Sequence, residues 1–127
     1  MSHRKISYTM RLSVVFIVAA ISIQPLFAHA ASSIAGIWQH AHKPALIEFD
    51  LDTGVGCVKA HRSHPKNQGQ TVIRKITKAT KPDNLWLGEM YHAERGIFVP
   101  VSIKKEKRRV FVYDAHGNQI LALKRGD

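Results

Sequence analysis

From residue 36 onward, apolar side chains fall at alternate positions in short runs, the period of a strand with one buried face. Gly36, Ile37 and Trp38 open the first run, and Trp38 is the expected core plug because an indole buries a large apolar area. His40-Ala41-His42-Lys43-Pro44 interrupts it. Residues 45–50 alternate cleanly, with Ala45, Ile47 and Phe49 on one face and Leu46, Glu48 and Asp50 on the other. Asp52-Thr53-Gly54 predicts a turn, and residues 55–61 predict the returning strand. Arg-Ser-His-Pro-Lys-Asn-Gln-Gly at 62–69 reads as a loop. Residues 70–77 read as a strand of mixed faces, with Val72 and Ile76 opposite Ile73.

The centre of the pattern is residues 85–103, two β-rich runs split by a polar break at 92–96 that ends in Gly96, which is a hairpin signal. Trp86, Gly88 and Met90 should share one face, and Leu85, Leu87 and Tyr91 the other. Pro100 has no N–H to donate, so its strand is expected to be an edge or to carry a bulge there. Residues 104–107 read as a charged turn and 109–113 as a strand. Residues 114–118 read as a turn and 119–124 as the last strand. The expected fold is all-β, a single small up-and-down antiparallel barrel, lipocalin-like in form, of about eight strands. Closure into a barrel would leave no exposed strand edge.

The first thirty residues carry a different pattern and are set apart from the fold. Arg4, Lys5 and Arg11 precede an apolar stretch at 12–23, Pro25 breaks it, and Ala28-His29-Ala30 offers small residues for cleavage. The apolar stretch is shorter than the ~20 residues a membrane span needs. Residues 1–30 are therefore read as a cleaved signal peptide and 31–127 as the barrel domain, exported to the periplasm or secreted, with no membrane span in the mature form.

Charge then changes the picture. The whole chain has 19 Lys and Arg against 9 Asp and Glu, a formal charge of +10. Three of the cations lie in the leader, so the mature part keeps +7. Such a surface attracts anions, and the expected partners are an anionic envelope lipid or polysaccharide, or an acidic protein. A nucleic-acid reader would want exposed aromatics between the charges, whereas the aromatics here alternate as core residues do. The domain is expected to act as a monomer. Cys57 is the one cysteine, so no intrachain disulfide forms, and a small buried hydrophobe is its expected role.

An export signal, Gly36-Ile37-Trp38, a strand–turn–strand around Gly54 to Val58, Gly69-Gln70-Thr71-Val72-Ile73, Trp86-x-Gly88, a turn and a terminal strand pair together resemble the DUF2147 family. Its members are small exported bacterial proteins with a lipocalin-like barrel and no established activity. The resemblance implies that fold for most of the chain after the signal and transfers no catalytic residue. The family's Trp-x-Gly-Gly is Trp86-Leu87-Gly88-Glu89 here, and its closing Trp-Thr-Arg is replaced by Ala122-Leu123-Lys124-Arg125.

Three sets of side chains could carry chemistry. Asp52-Thr53-Gly54 spells the triplet of aspartic proteases, in which two carboxylates share a proton. It falls where a turn is expected, followed by Val55 rather than a small Ala or Ser, so turn chemistry is the reading adopted. Cys57, His61 and His64, completed by His40 or His42, bring thiolate and imidazole, the natural ligands of zinc or copper, although the spacing matches no standard zinc pattern. Arg74 and Lys75, with Lys104, Lys105, Arg108 and Arg109, fall around neighbouring turns and could form a cationic rim for phosphate or sulfate. Signatures for serine hydrolases, zinc proteases and phosphate loops are missing after the leader. The sequence thus predicts a non-enzymatic barrel that binds an anionic or amphipathic envelope ligand and needs no cofactor. The alternative is a periplasmic metal-binding module.

Overall fold

The structure, a computed structural model, describes residues 33–125; the expected signal peptide at 1–30 lies outside the described residues. Eight strands follow one another: β1 (Gly36–His40), β2 (Ala45–Asp50), β3 (Val55–His61), β4 (Thr71–Lys78), β5 (Leu85–His92), β6 (Ile97–Glu106), β7 (Arg109–Tyr113) and β8 (Gln119–Lys124). A 3-10 turn, Pro65–Asn67, sits in the β3–β4 connection. Each strand pairs antiparallel with the next, and β8 returns to β1, so the sheet is a closed up-and-down barrel. No helix among the described residues is long and apolar enough to cross a membrane.

Alternation decides what enters the barrel. Ala45, Ile47 and Phe49 are buried while Leu46 and Asp50 are exposed, as the sequence period requires. Trp86 is buried on β5, whereas Leu87 and Tyr91 are exposed. Gly88 is needed on that strand because a Cβ there would stand 3.1 Å from the Arg74 carbonyl oxygen and 3.2 Å from Ile73. On β4 the expected opposition of Val72 and Ile76 to Ile73 does not hold, since Ile73 and Ile76 are both buried. The ladder to β5 is irregular between Arg74 and Thr77, with Lys75 at φ 55°, and the extra residue resets the phase of the strand.

Consecutive antiparallel strands place their connections alternately at two ends. The connections at 51–54, 79–84 and 107–108 share one end, and the core residues Trp38, Phe49, Trp86, Ile103, Val110 and Leu123 fill the barrel towards it. Ile34 joins this plug, and the Trp38 indole N–H donates to its carbonyl at 2.8 Å. The connections at 41–44, 62–70, 93–96 and 114–118 form the other end, the mouth. Pro100 pairs with Glu89 on β5, while the β6–β7 ladder begins only at Ser102, so its missing N–H faces no strand partner. The strand is nevertheless neither the edge nor the bulged strand expected from the sequence, because β6 pairs with β5 and β7 in a closed barrel without a register shift, and Pro100 is tolerated only because β7 is too short to reach it.

Candidate functional site

Inside the mouth lies a cavity of about 330 Å³. Its walls are the inward faces of Ala45, Ile47, Val58, Val72, Met90 and Leu121, and its rim carries His40, Lys43, His61, His64, Asn67 and Gln70. The barrel is thus packed at one end and hollow at the other. Eight-stranded barrels have room for one small ligand, and this volume stands near the lower limit of small-molecule sites. Apolar walls under a polar, cationic rim suit a molecule with a short hydrophobic body and an anionic head. No carboxylate is among the lining residues.

Backbone hydrogen bonds hold the rim imidazoles in place. The N–H groups of His42 and Lys43 both donate to His40 Nδ1, at 3.0 and 3.1 Å. The His64 N–H donates to His61 Nδ1 at 3.2 Å, and the two rings meet edge to face with centroids 4.8 Å apart. A ring nitrogen that accepts carries no proton, so the neutral rings hold theirs on Nε2. Partial burial, then Lys43, His42 and His61 nearby, push the His40 pKa below its ordinary value. Folding therefore favours neutral His40. The stability this gives is present above the ordinary imidazole range and is lost as pH falls towards the lowered value.

The five candidate metal ligands are not brought together. His40, His61 and His64 line one cavity, but Cys57 pairs with Glu48 and Thr71 on the outer wall, one position out of phase with inward-facing Val58. His42 is exposed, with its ring 6.2 Å from that of His40. Among the described residues, no three His, Cys, Asp or Glu form a group that could hold a metal ion. Cys57 is also not the buried hydrophobe expected of it: it is half-buried, its Sγ 3.9 Å from Thr71 Oγ1.

The cationic candidates divide as well. Arg74 lies on the outer wall, where its Nε is 2.9 Å from Glu89 Oε1 and its guanidinium stacks over Phe98 at 3.8 Å. Lys75 approaches the same carboxylate at 3.9 Å. Lys104, Lys105, Arg108 and Arg109 gather at the β6–β7 hairpin, with Lys104 paired to Glu106 at 3.2 Å. That hairpin belongs to the packed end. The cavity and the basic hairpin are therefore at opposite ends, and the single rim expected from the sequence does not exist.

Asp52-Thr53-Gly54 is a turn. The Asp50 carboxylate accepts from the backbone N–H of Asp52 at 2.9 Å, and the Gly54 N–H donates to the Asp50 carbonyl. Gly54 has φ 71°, and a Cβ there would stand 3.1 Å from the Ile76 carbonyl oxygen.

Sequence reasoning missed the walls of the cavity. The alternation puts Met90 on the face of Trp86, but nothing in it says that Val72, Met90 and Leu121 border a cavity instead of one another. Lys43, Asn67 and Gln70 come from loops, where period-two patterning gives no direction. No protein-family model, curated protein or solved structure matches the chain.

Proposed function

We propose that this chain is an exported, non-enzymatic and monomeric barrel that binds one small amphipathic anion of the cell envelope in the cavity at its mouth. The observation that carries the reading is the cavity's composition: apolar walls from five strands beneath a rim of His40, Lys43, His61 and His64, with no acidic side chain among the lining residues. The apolar body of the ligand enters the barrel, and its head group stays at the rim among imidazole, ammonium and amide donors. Export rests on the leader pattern of residues 1–30, and the likeness to the DUF2147 family is part of the same proposal through the barrel it implies. The basic side chains Lys104, Lys105, Arg108 and Arg109 would add long-range attraction without touching the ligand.

The test is fluorescence titration of residues 31–127 with 1-anilinonaphthalene-8-sulfonate, an apolar ring system bearing a permanent anion. Binding at one site per chain is expected. Val72→Phe, which adds volume at a half-buried wall position, should weaken it at least about tenfold, or ~1.4 kcal/mol. Lys43→Ala should weaken it by about 0.2–1 kcal/mol, an effect that shrinks as salt is raised. Binding unchanged by Val72→Phe, with the fold intact by near-ultraviolet circular dichroism, contradicts the proposal.

A further inference from the structure

The mouth connections are fastened by a recurring device. At three of them, a histidine at the end of a strand uses Nδ1 to accept a backbone N–H two or three residues ahead. His40 ends β1 and fastens 41–44, accepting from His42 and Lys43. His61 ends β3 and fastens the start of 62–70, accepting from His64. His92 ends β5 and accepts from Arg95 at 3.2 Å. The fourth mouth connection uses a carboxylate in the same way, Asp114 Oδ1 accepting from His116 and Asn118, each at 2.9 Å. At the opposite end, the turn at 51–54 is fastened similarly but by a carboxylate, that of Asp50. Among the described residues the imidazole version is confined to the mouth.

An imidazole differs from a carboxylate in one respect that matters here. A proton added to Nδ1 turns the acceptor into a donor, so the N–H that it held now faces another N–H. A carboxylate keeps accepting until far more acid conditions, and hydrogen bonds from Asn118 and His116 lower the Asp114 pKa further.

We propose that protonation of His40 and His61 at Nδ1 unfastens the strand-end ties of the 41–44 and 62–70 connections and so speeds exchange between the cavity and solvent. This deepens the cavity-binding reading above and rests on it for its consequence. The rim loops are then held in place at neutral pH and looser in mild acid, so the cavity exchanges its contents faster in acid.

The surroundings of both rings are known. His40 faces Lys43 and His42 from its own connection and His61 from β3, and all three act to lower its pKa. His61 faces His64 at ring contact, with His40 and Lys43 across the shared cavity. No carboxylate lines that cavity, so no salt bridge replaces the lost imidazole bond, and each loop is left with its backbone ties alone, among them Arg62 N–H to the Pro44 carbonyl. Burial moves the His40 transition below the ordinary imidazole range. His92 repeats the device, but Glu94 lines the same concavity and would compensate a charge there, so the opening is assigned to the other two.

The variant that separates this device from a simple charge effect is His40→Asn with His61→Asn. The Asn side-chain oxygen can accept as Asp50 and Asp114 do, yet it takes up no proton in this range. Dissociation of 1-anilinonaphthalene-8-sulfonate is followed by stopped flow at about pH 7.5 and about pH 5, on either side of the imidazole range. The sulfonate stays ionised at both, so the probe's own charge is constant. The two new imidazolium charges attract the sulfonate and oppose its release, but exposed charges act weakly, so losing a net hydrogen bond at each loop should still leave release from the native chain at least about tenfold faster in acid. The double variant should release it equally fast at both. Equal rates in the native chain, or the same acceleration in the variant, overturns the proposal.

A second readout needs no ligand: the amide-proton shifts of Lys43 and His64 should move towards free-amide values as the native chain titrates, and stay in place in the variant. If the sulfonate fails to bind at neutral pH, the cavity reading falls, and the amide shifts alone decide the loop device. Shifts that follow the titration sustain it, and static shifts overturn it.

Discussion

Phe49 is among the largest side chains in the core, and it fits because residue 56 has no side chain. A Cβ on Gly56 would stand 2.8 Å from both Cδ1 and Cε1 of the ring, closer than carbon atoms approach without displacement. The ring lies across the paired backbone of β3, where Phe49 and Gly56 are register partners. Gly56→Ala must push Phe49 into the plug beside Trp38. The expected cost is about 1–3 kcal/mol, the usual penalty for overpacking a filled core. Urea unfolding would show it as a lower midpoint with an unchanged slope. Gly117 offers the contrast, since a Cβ there meets no atom within 4 Å and the objection is only its φ of 84°. One glycine is required by its neighbours and the other by its own backbone.

At the scale of the strands, the seam between β8 and β1 is the thinnest joint of the barrel. Only Gln39↔Lys124 and His40↔Leu123 pair across it, helped by the Ala41 N–H on the Ala122 carbonyl. Arg125 staples the joint from just beyond β8: its Nη2 donates to the Ala35 carbonyl at 2.7 Å, its Nε to that of Ile37 at 3.4 Å, and its guanidinium stacks 3.8 Å over Trp38. Arg125→Ala removes both carbonyl contacts and the cation–π contact, a loss of about 1–3 kcal/mol. Hydrogen exchange should then show β1 opening before the β5–β6 hairpin, which pairs along eight residues. Uniform exchange across the sheet would mean that the seam is not the weak joint.

The strands were the legible part of this sequence. The periods at 45–50, 55–61, 109–113 and 119–124 coincide with β2, β3, β7 and β8. The turn expected at 104–107 was instead mostly strand, because the β6–β7 ladder runs on through Lys104, Lys105 and Glu106. The reversal occurs at 107–108, with Lys107 at φ 56°. Charged residues on exposed strand positions read as turn in composition, and only pairing tells them apart. The phase reset on β4 escaped for a related reason: an irregularity is a relation between two strands, and one strand's residues do not display it.

At the scale of the molecule, the barrel keeps two properties apart that the sequence suggested were joined. Hollow interior and polar rim face one way through the odd-numbered strand exits, and the basic β6–β7 hairpin faces the other. Which end a residue reaches depends on how many reversals precede it, so topology rather than composition decided the arrangement. Closure gives every strand a hydrogen-bonded neighbour on each side, and no buried side-chain nitrogen or oxygen among the described residues lacks a partner.

The central claim is that the mouth, and not the basic hairpin, receives the ligand. The most direct measurement is a ¹H–¹⁵N titration of residues 31–127 with 1-anilinonaphthalene-8-sulfonate, followed at every backbone amide at moderate salt. The account predicts saturable shifts confined to the cavity walls and rim, among them Ala45, Val58, His61, Val72, Met90 and Leu121, while Lys104, Lys105, Arg108 and Arg109 stay still. Shifts centred on the hairpin, with the cavity residues unmoved, would contradict it and make the packed end the binding surface.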